Sequence, residues 1–522
     1  MFTQFEATKH LQQLAQNPFD LAKSGNLTPE RLIKFSTKSC GYTLFYGTER
    51  ITEQVMQTLF KLADEAQALD KMNKMQTGEI LNKIDGFPSE NRAVLHTATR
   101  DFFENPHQEQ AAKDATNLAL KEIDKLKAFL KKIESMSFTD LVMIGIGGSD
   151  LGPRAHYIAL QHLLKKGKKA HFICNVDPDD AALVLRDLNL NNALVVVVSK
   201  TGETLETATN EAFVRQKFLD AHMDPSKHFV SVTMQGSPMD NPSKYLESFH
   251  IWDWIGGRYS TTSMVGGVVL AFSFGFEVFW EFLRGANQMD KAVLSSKKET
   301  NLPLLAALIG IWNRDFLKYP TLAIIPYSQV LLRFPAHIQQ LDMESNGKRI
   351  DKQGRPVDYE TGPIIWGEPG TNAQHSFYQL IHQGTTIVPL EFIGYKKSAL
   401  GEDLKFNGTT SQQKLLANLF AQIIALATGK EDQNPNKVFT GNRPSHLLLG
   451  EKLTPFSLGV LLAFFEHKVA FQGFILNINS FDQEGVQLGK LLATKILQRF
   501  AEPKGAPYPL ADVFLATLKD KD

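Results

Sequence analysis

The chain has 522 residues, in which 56 lysines and arginines balance 56 aspartates and glutamates. A formal net charge of zero gives no overall field that would attract nucleic acid or an anionic membrane, so we expect neither as a partner. The length suits three domains of ordinary size or two large α/β domains.

Localisation signals are few. Residues 1–16 mix charged side chains among apolar ones, which is not the pattern of an export signal. The most apolar stretch, residues 264–276, stops at Glu277, short of the roughly 20 residues that a membrane span needs, and predicts a buried helix instead. The two cysteines, Cys40 and Cys174, have no CxxC partner and favour a reducing compartment. We therefore expect a cytoplasmic protein.

The amino-terminal part is predicted to be helical. Apolar residues recur at spacings of three and four over residues 52–68 and 108–136, and no β run is obvious in the first 135 residues. From Leu141 the pattern changes, and short apolar strands alternate with helices, which predicts a parallel sheet covered on both faces. The predicted strands are 141–146, 171–176 and 193–199, and the predicted helices are 157–165 and 203–219.

A second alternating set follows a polar segment, 285–301, that we interpret as a linker. Its predicted strands are 321–326, 363–366 and 385–393, and its predicted helices are 329–341, 373–382 and 412–428, the first of them kinked or broken at Pro335. The predicted fold class is therefore α/β, with two doubly wound parallel-sheet domains. The expected boundaries are 1–120 for a helical amino-terminal region, 121–288 for the first α/β domain, and 289–522 for the second with carboxyl-terminal helices.

A glycine-rich turn, Gly145-Ile146-Gly147-Gly148-Ser149-Asp150, follows the first predicted strand. Such a turn lets backbone N–H groups approach an anion, either a dinucleotide or another phosphate. The dinucleotide fingerprint requires glycine where Asp150 stands, so the match is imperfect.

A second phosphate cradle is predicted after the strand 193–199. Ser199, Lys200, Thr201 and Thr204 offer hydroxyls and an ammonium at a helix start, although an ordinary strand end with a helix cap would show the same pattern. The chain has no GxxxxGK[ST] sequence, which disfavours nucleotide hydrolysis.

Several isolated polar residues could carry chemistry. Arg258 follows Gly256 and Gly257, so that a ligand could meet both backbone and guanidinium. Glu344 is expected at the end of a helix, where a carboxylate is electrostatically unfavourable, which indicates either a solvent-exposed group or a catalytic base. His375 is expected in the first turn of a helix, and a packed or solvated histidine is the alternative.

Gln483 and Lys490 are predicted to lie two turns apart on one helix, with Gln483 at its amino end. A solvated surface lysine is the alternative interpretation of Lys490. No HExxH or paired CxxC sequence occurs, so we expect no metal.

Taken in order, "GGRYS", "DMESNGK", "GTNAQHSFYQLIHQGT" and "FDQEGVQLGK" resemble the glucose-6-phosphate isomerase family, from about Arg92 to Lys490. The resemblance implies two sugar-isomerase (SIS) domains with flavodoxin-like sheets, a homodimer whose sites draw on both subunits, and no cofactor. It also implies a reaction: reversible conversion of D-glucose 6-phosphate to D-fructose 6-phosphate through a cis-enediol.

The resemblance also implies roles for individual residues. Glu344 would be the base and Arg258 the cation that stabilises the enediolate, while His375, supplied across the dimer, and Lys490 would open the sugar ring. The implied substrate contacts are Gly148, Ser149, Ser199, Lys200, Thr201, Thr204, Gly257, Gln340 and Gln483. The family often has Phe-Thr-Thr where this chain has Gly202-Glu203-Thr204, so we expect the Glu203 carboxylate to point away from the phosphate, and Asp150 to turn away too, as a helix cap.

Two other functions compete with an isomerase. A non-catalytic sugar-phosphate-binding SIS module would need the phosphate cradle only, but the chain shows no basic helix-turn-helix to accompany it. A nicotinamide-dependent oxidoreductase would use the glycine turn with Asp177, which lies somewhat too far along the chain to bind a ribose.

Overall fold

The computed structural model describes residues 2–502 and 507–518. Of these residues, 2–480 form one compact unit, and those from Phe481 to 518 form a second. The helices of the first unit are α1 (Glu6–Leu14), α2 (Pro29–Lys34), α3 (Glu53–Glu65), α4 (Ala68–Thr77), α5 (Gln110–Ile133), α6 (Leu151–Ala159), α7 (Pro178–Arg186), α8 (Leu205–Asp220), α9 (Met264–Phe274), α10 (Phe276–Ala292), α11 (Leu302–Ile311), α12 (Phe334–Asn346), α13 (Tyr378–Gln383), α14 (Ser411–Thr428) and α15 (Pro455–Ile475). The second unit contains α16 (Gln487–Ala501) and α17 (Pro509–Ala516).

The strands all belong to the first unit. They are β1 (Ser36–Ser39), β2 (Tyr42–Phe45), β3 (Asp140–Ile144), β4 (Lys169–Ile173), β5 (Ala193–Val198), β6 (Phe229–Met234), β7 (Glu247–Ile251), β8 (Thr321–Pro326), β9 (Ile364–Trp366), β10 (Leu390–Lys397), β11 (Lys405–Phe406), β12 (Thr409–Thr410) and β13 (Ser445–Lys452). The strands predicted at 141–146, 171–176, 193–199, 321–326 and 363–366 are thus present within a few residues of their expected bounds, and the one predicted at 385–393 begins later.

The first sheet has the order β4-β3-β5-β6-β7, and all its strands run parallel. Numbered within the sheet this order is 2-1-3-4-5, the flavodoxin-like arrangement. Its central strand β5 is buried at every residue, because side chains of α7 and α8 pack on one face and α9 packs on the other. The predicted doubly wound parallel sheet is confirmed.

The second sheet has the order β1-β2-β13-β10-β8-β9. Its strands β9, β8, β10 and β13 are parallel and repeat the order 2-1-3-4 of the first sheet. The hairpin β1–β2 pairs antiparallel with β13 and takes the edge where a fifth parallel strand would stand. The expectation that the first 135 residues contain no strand is therefore wrong.

Three other predictions are settled by the helices. Residues 264–274 of the segment 264–276 form α9, which is buried at every residue, as predicted, and Gly275 separates it from α10. The segment 285–301 is not a linker throughout, because α10 continues to Ala292 and buries Asp290, which forms an ion pair with Arg100. Near Pro335 the chain is broken as predicted: a 3-10 turn ends at Leu331 and α12 begins at Phe334.

Helix α15 passes through the interior of the first unit. Among the helices of the described residues it alone is long and apolar enough to cross a membrane, and its apolar window is wholly buried within the protein. It carries Glu466, His467 and Lys468 at its middle. Glu466 and Lys468 form ion pairs with Arg100 and Glu391 respectively, and His467 Nε2 is hydrogen-bonded to Asp290. A helix with paired charges at its centre is the core helix of this unit.

Candidate active site

Two loops follow neighbouring parallel strands of the first sheet. Ile144 ends β3 and pairs with Val197 near the end of β5, so the loops that continue these strands start side by side. In the 2-1-3-4-5 order, β3 and β5 are the strands between which the chain changes direction across the sheet. Ligands of doubly wound sheets bind in the crevice at this position.

The glycine turn after β3 lies against two other predicted site residues. Gly147 has a φ of +59°, and a Cβ built on it would lie 3.4 Å from Nε2 of Gln340. A Cβ on Gly148 would lie 2.2 Å from the carbonyl carbon of Gly257, so only glycine fits there. The structure thus brings Gly147, Gly148, Gly257 and Gln340 together, and half-buried Ser149 ends the same turn.

Asp150 does not cap α6 with its side chain, so that expectation is wrong. Its carboxylate instead accepts a hydrogen bond from the Arg154 guanidinium at 2.6 Å, one helical turn away. Burial raises the pKa of the Asp150 carboxyl to about 6, partly offset by Arg154.

The loop after β5 is held by its own hydroxyls. Ser199 Oγ lies 3.0 Å from Thr204 Oγ1 and accepts a hydrogen bond from the Gly202 N–H at 3.1 Å. Thr204 precedes α8 without capping it through its side chain, which leaves the first amides of α8 for another partner. Thr201 and Glu203 are exposed.

Lys200 connects this loop to the segment that carries Arg258. Its ammonium donates hydrogen bonds to the carbonyl oxygens of Asp253 at 2.8 Å and Ile255 at 3.0 Å. Burial and the nearby Arg92 guanidinium lower the pKa of Lys200 to about 8. The two cradles and the Gly256-Gly257-Arg258 segment therefore form one continuous region of the first unit.

Glu344 lies in the last turn of α12, as predicted, and faces Arg258. Its Oε2 atom is 3.5 Å from Arg258 Nη1 and accepts a hydrogen bond from Gln340 Nε2 at 3.0 Å. The Glu344 side chain is 24% exposed, whereas that of Arg258 is 1% exposed. A carboxylate open to a ligand therefore stands beside a buried cation.

Two serines that were not predicted also hold Arg258. Its Nε donates to Ser345 Oγ at 2.7 Å, and its Nη2 donates to the carbonyl oxygen of Ser480 at 2.7 Å. The only signal in the sequence is that Ser345 adjoins Glu344, since a backbone carbonyl acceptor leaves no mark in a sequence.

His375 stands apart from this group of contacts. It ends a 3-10 turn, Asn372–His375, rather than lying in the first turn of an α-helix, because α13 begins only at Tyr378. Its side chain is exposed, and within residues 2–502 and 507–518 its imidazole makes no hydrogen bond or ion pair.

Gln483 and Lys490 belong to the second unit, and the prediction that they share one helix is wrong. Gln483 has φ −146° and ψ 46°, outside the helical region, and precedes a 3-10 turn, Glu484–Val486, and α16 begins only at Gln487. Three residues therefore turn with 3-10 geometry before the α-helix starts, which changes the relative direction of the two side chains. Lys490 is exposed on α16, and Gln483 is half-buried.

Comparison with known proteins gives a consistent result. Residues 45–506 match the family model for phosphoglucose isomerase. The glucose-6-phosphate isomerase of Protochlamydia amoebophila is 60% identical over 510 residues, which cover 97% of this chain and 95% of that protein. That of Desulfotalea psychrophila is 53% identical over 518 residues, covering 98% and 96%.

Solved structures show the same similarity. A glucose-6-phosphate isomerase from Chlamydia trachomatis superposes with a TM-score of 0.96 at 50% identity, covering 99% of both chains. A hypothetical protein from Thermus thermophilus gives a TM-score of 0.68 at 26% identity, covering 85% of this chain and 97% of that one.

Proposed function

Because the chain belongs to the phosphoglucose isomerase family, we propose that it interconverts D-glucose 6-phosphate and D-fructose 6-phosphate. The observation that carries the proposal is the pair formed by Glu344 and Arg258, a half-exposed carboxylate 3.5 Å from a buried guanidinium. Proton abstraction next to a carbonyl needs a positioned base and a fixed positive charge where the oxyanion develops.

The proton transfer follows from this pair. Glu344 removes the proton from C2 of the open-chain aldose, which forms a cis-enediolate with its charge on O1. A proton passes from the C2 hydroxyl to O1, and Glu344 returns its proton to C1, which leaves the carbonyl at C2. Arg258 stabilises the negative charge on the oxygen, and the hydrogen bond from Gln340 keeps the carboxylate oriented. Since no electron leaves the sugar, the step needs no redox cofactor.

The phosphate end of the substrate is assigned to the two cradles. Ser149, Ser199, Thr201 and Thr204 supply hydroxyls, Lys200 supplies a cation, and the first amides of α8 are directed at the same anion. Gly148 and Gly257 bring their two loops into backbone contact, and the sugar is proposed to lie beside them, between the phosphate end and Glu344.

Ring opening is assigned to His375 and Lys490, with Gln483 beside the sugar hydroxyls. Between them, His375 and Lys490 protonate the ring oxygen and accept the proton of the C1 hydroxyl as the hemiacetal bond breaks. His375 is exposed and its imidazole has no partner among the residues that the structure describes, which suits a residue that completes the site of a second subunit.

The functional form is proposed to be a homodimer. The proposed division of each subunit is 1–120 for an amino-terminal part, whose hairpin β1–β2 completes the second sheet, and 121–288 and 289–522 for two SIS-type parts. The repeated strand order of the two sheets supports this division. The apolar surface of α16 supports self-association. No residue of that helix is buried, and its exposed side chains include Leu488, Leu491, Leu497 and Phe500. A cytoplasmic location stays a prediction.

The direct test is a coupled assay with Glu344→Gln. Fructose 6-phosphate is supplied without added metal or nucleotide, and formation of glucose 6-phosphate is followed. We expect the wild type to turn over fructose 6-phosphate under these conditions. The variant should still bind the sugar phosphate, but its kcat should fall by about 10²–10⁴-fold, the usual contribution of a general base. The exposed Glu402→Gln is the matched control and should leave kcat unchanged. Wild-type turnover by Glu344→Gln would refute the assignment of the base.

A further inference from the structure

The guanidinium of Arg258 is held from two sides by buried groups. Ser345, which is fully buried, accepts from Nε at 2.7 Å, and the Ser480 carbonyl accepts from Nη2 at 2.7 Å. Hydrogen bonds from a charged group are about twice as strong as those between neutral groups. The direction of the guanidinium is therefore set by these two acceptors as well as by Glu344.

Ser345 has a second contact that fixes its own hydroxyl. Its Oγ lies 3.0 Å from the hydroxyl of Tyr259, the residue next to Arg258 in the chain. The Tyr259 ring in turn lies beside His96, with ring centroids 4.7 Å apart. Because the rings of Tyr259 and His96 are both buried, they restrict the Ser345 hydroxyl, which accepts the hydrogen bond from Arg258 Nε.

Asn346 holds the other acceptor in place. Its side-chain oxygen accepts a hydrogen bond from Ser480 Oγ at 2.7 Å, and its amide group donates to the Val469 carbonyl of α15 at 3.2 Å. A Cβ on Gly473 would lie 1.9 Å from Ser480 Oγ, so this glycine makes the space for Ser480. A chain of hydrogen bonds thus runs from the core helix α15 through Asn346 and Ser480 to Arg258.

We infer that Ser345 and Asn346 are positioning residues, which align Arg258 with Glu344 for the proton transfer. Three consecutive residues at the end of α12 then have linked tasks: Glu344 is the base, Ser345 orients Arg258 directly, and Asn346 orients it through Ser480. Successive residues of a helix point about 100° apart, which lets one turn reach all three partners. This inference rests on the proposed function, because its kinetic consequence requires the isomerisation.

A double-mutant cycle with Ser345→Ala and Arg258→Ala tests the inference. If Ser345 acts through Arg258, Ser345→Ala lowers kcat about tenfold to a hundredfold, the loss of one hydrogen bond to a charged group, with KM changed less than about twofold. In the Arg258→Ala background the same substitution then has no further effect on kcat. Equal losses in both backgrounds would mean that Ser345 acts without Arg258 and would overturn the inference.

The chain offers a matched control in Ser273, which is also fully buried but whose hydroxyl has no hydrogen-bond partner among the described residues. Ser273→Ala should leave kcat unchanged. Asn346→Ala should lower kcat less than Ser345→Ala does, again only when Arg258 is present. If Ser345→Ala does not fold, Ser345→Cys, which keeps the side-chain volume but has a weak acceptor, replaces it in the same cycle.

Crystal structures of wild type and Ser345→Ala separate this inference from the proposed function. We expect the variant guanidinium to turn away from Glu344, whether or not the protein isomerises sugar phosphates. An unmoved guanidinium would overturn the positioning role even in an active enzyme. If the wild type is inactive and the guanidinium is displaced in the variant, the proposed function is refuted. The positioning of Arg258 by Ser345 would still hold.

Discussion

At the level of single residues, Lys200 is a cation in surroundings that disfavour its charge. Its ammonium is desolvated and lies near Arg92, and both effects lower its pKa, to about 8. Two of its three N–H groups donate to the carbonyls of Asp253 and Ile255, which leaves one for a ligand. A phosphate dianion that binds there would restore the charge balance, so the affinity for substrate should depend on the protonation of this lysine.

This dependence predicts an alkaline limb in the pH profile of kcat/KM. Because the pKa of Lys200 is lowered from 10.5 to about 8, the free enzyme holds the ammonium below that pH and loses it above. Since kcat/KM reports the ionisations of the free enzyme, it should fall as the pH rises through about 8. Lys200→Arg, whose guanidinium stays protonated, should move this limb to higher pH. The same limb in both proteins would exclude Lys200 as its origin.

The residues of the site differ in how far the sequence reveals them. Glu344 and Arg258 could be singled out because a carboxylate at a helix end and an arginine after two glycines are consistent with ligand binding. Each pattern also fits an exposed carboxylate or an ordinary loop arginine, and the resemblance to the family supplied their roles. Ser345 and Ser480 could not, because a serine is common and its role here depends on which side chain lies 2.7 Å away. Lys200 was expected to meet the ligand, but only the fold shows that it also joins two segments of the site.

At the level of elements, the core depends on the close crossing of α10 and α15. A Cβ on Gly459 would lie 1.9 Å from the carbonyl oxygen of Phe282, and one on Gly285 would lie 1.9 Å from that of Phe456. The helices therefore approach backbone to backbone at these two glycines. The same crossing places Oδ1 of Asp290 in α10 at 2.6 Å from Nε2 of His467 in α15.

Gly459→Ala should consequently destabilise the protein. Its added methyl group must push the helices apart, and overpacking of this kind costs about 1–3 kcal/mol in the free energy of unfolding. Thermal or urea denaturation measures the change.

Gly489→Ala is the control, because Gly489 lies on exposed α16 with nothing among the described residues within 4 Å of a built Cβ. It should be neutral or stabilising by up to about 1 kcal/mol. Equal stability of Gly459→Ala and wild type would show that the helix crossing accommodates a larger side chain than the distances indicate.

Two elements show why local patterns were insufficient. The β1–β2 hairpin turns at Cys40 and Gly41, both with positive φ, as a two-residue hairpin loop requires. Asn or Gly is the usual first residue of such a turn, so Cys40 gave no turn signal, and four-residue strands are too short to show alternation. The predicted linker contained Asn287 and Asp290, whose polarity suggested exposure, whereas Asp290 is buried against Arg100 from a distant part of the chain. Pairing across 190 residues cannot be read from a local window.

At the level of the whole molecule, two sheets share one strand order, yet their edges are completed differently. The first sheet ends in the parallel strand β7, whereas the second recruits the hairpin β1–β2 from the amino-terminal region. Residues that precede the first sheet in sequence thus belong to the second sheet in space. This crossing of the chain explains why both sheets fall within a single compact unit, from the start of the chain to Ser480.

The proposed exchange of His375 between subunits predicts that two inactive variants complement each other. Glu344→Gln and His375→Ala are each expected to be inactive as homodimers. A hybrid of the two would have one site with both defects and one site with Glu344 from one subunit and His375 from the other. If equal amounts are mixed, dissociated and reassembled, half of the dimers are hybrids with one intact site in two, so about a quarter of wild-type activity should return.

The control for complementation is a mixture that cannot restore a site. Glu344→Gln mixed with Arg258→Ala should stay inactive, because the two side chains face each other within one chain at 3.5 Å. Recovery in that mixture would indicate residual activity rather than shared sites. If the mixture with His375→Ala also stays inactive after reassembly is verified by mass, His375 serves the site of its own subunit.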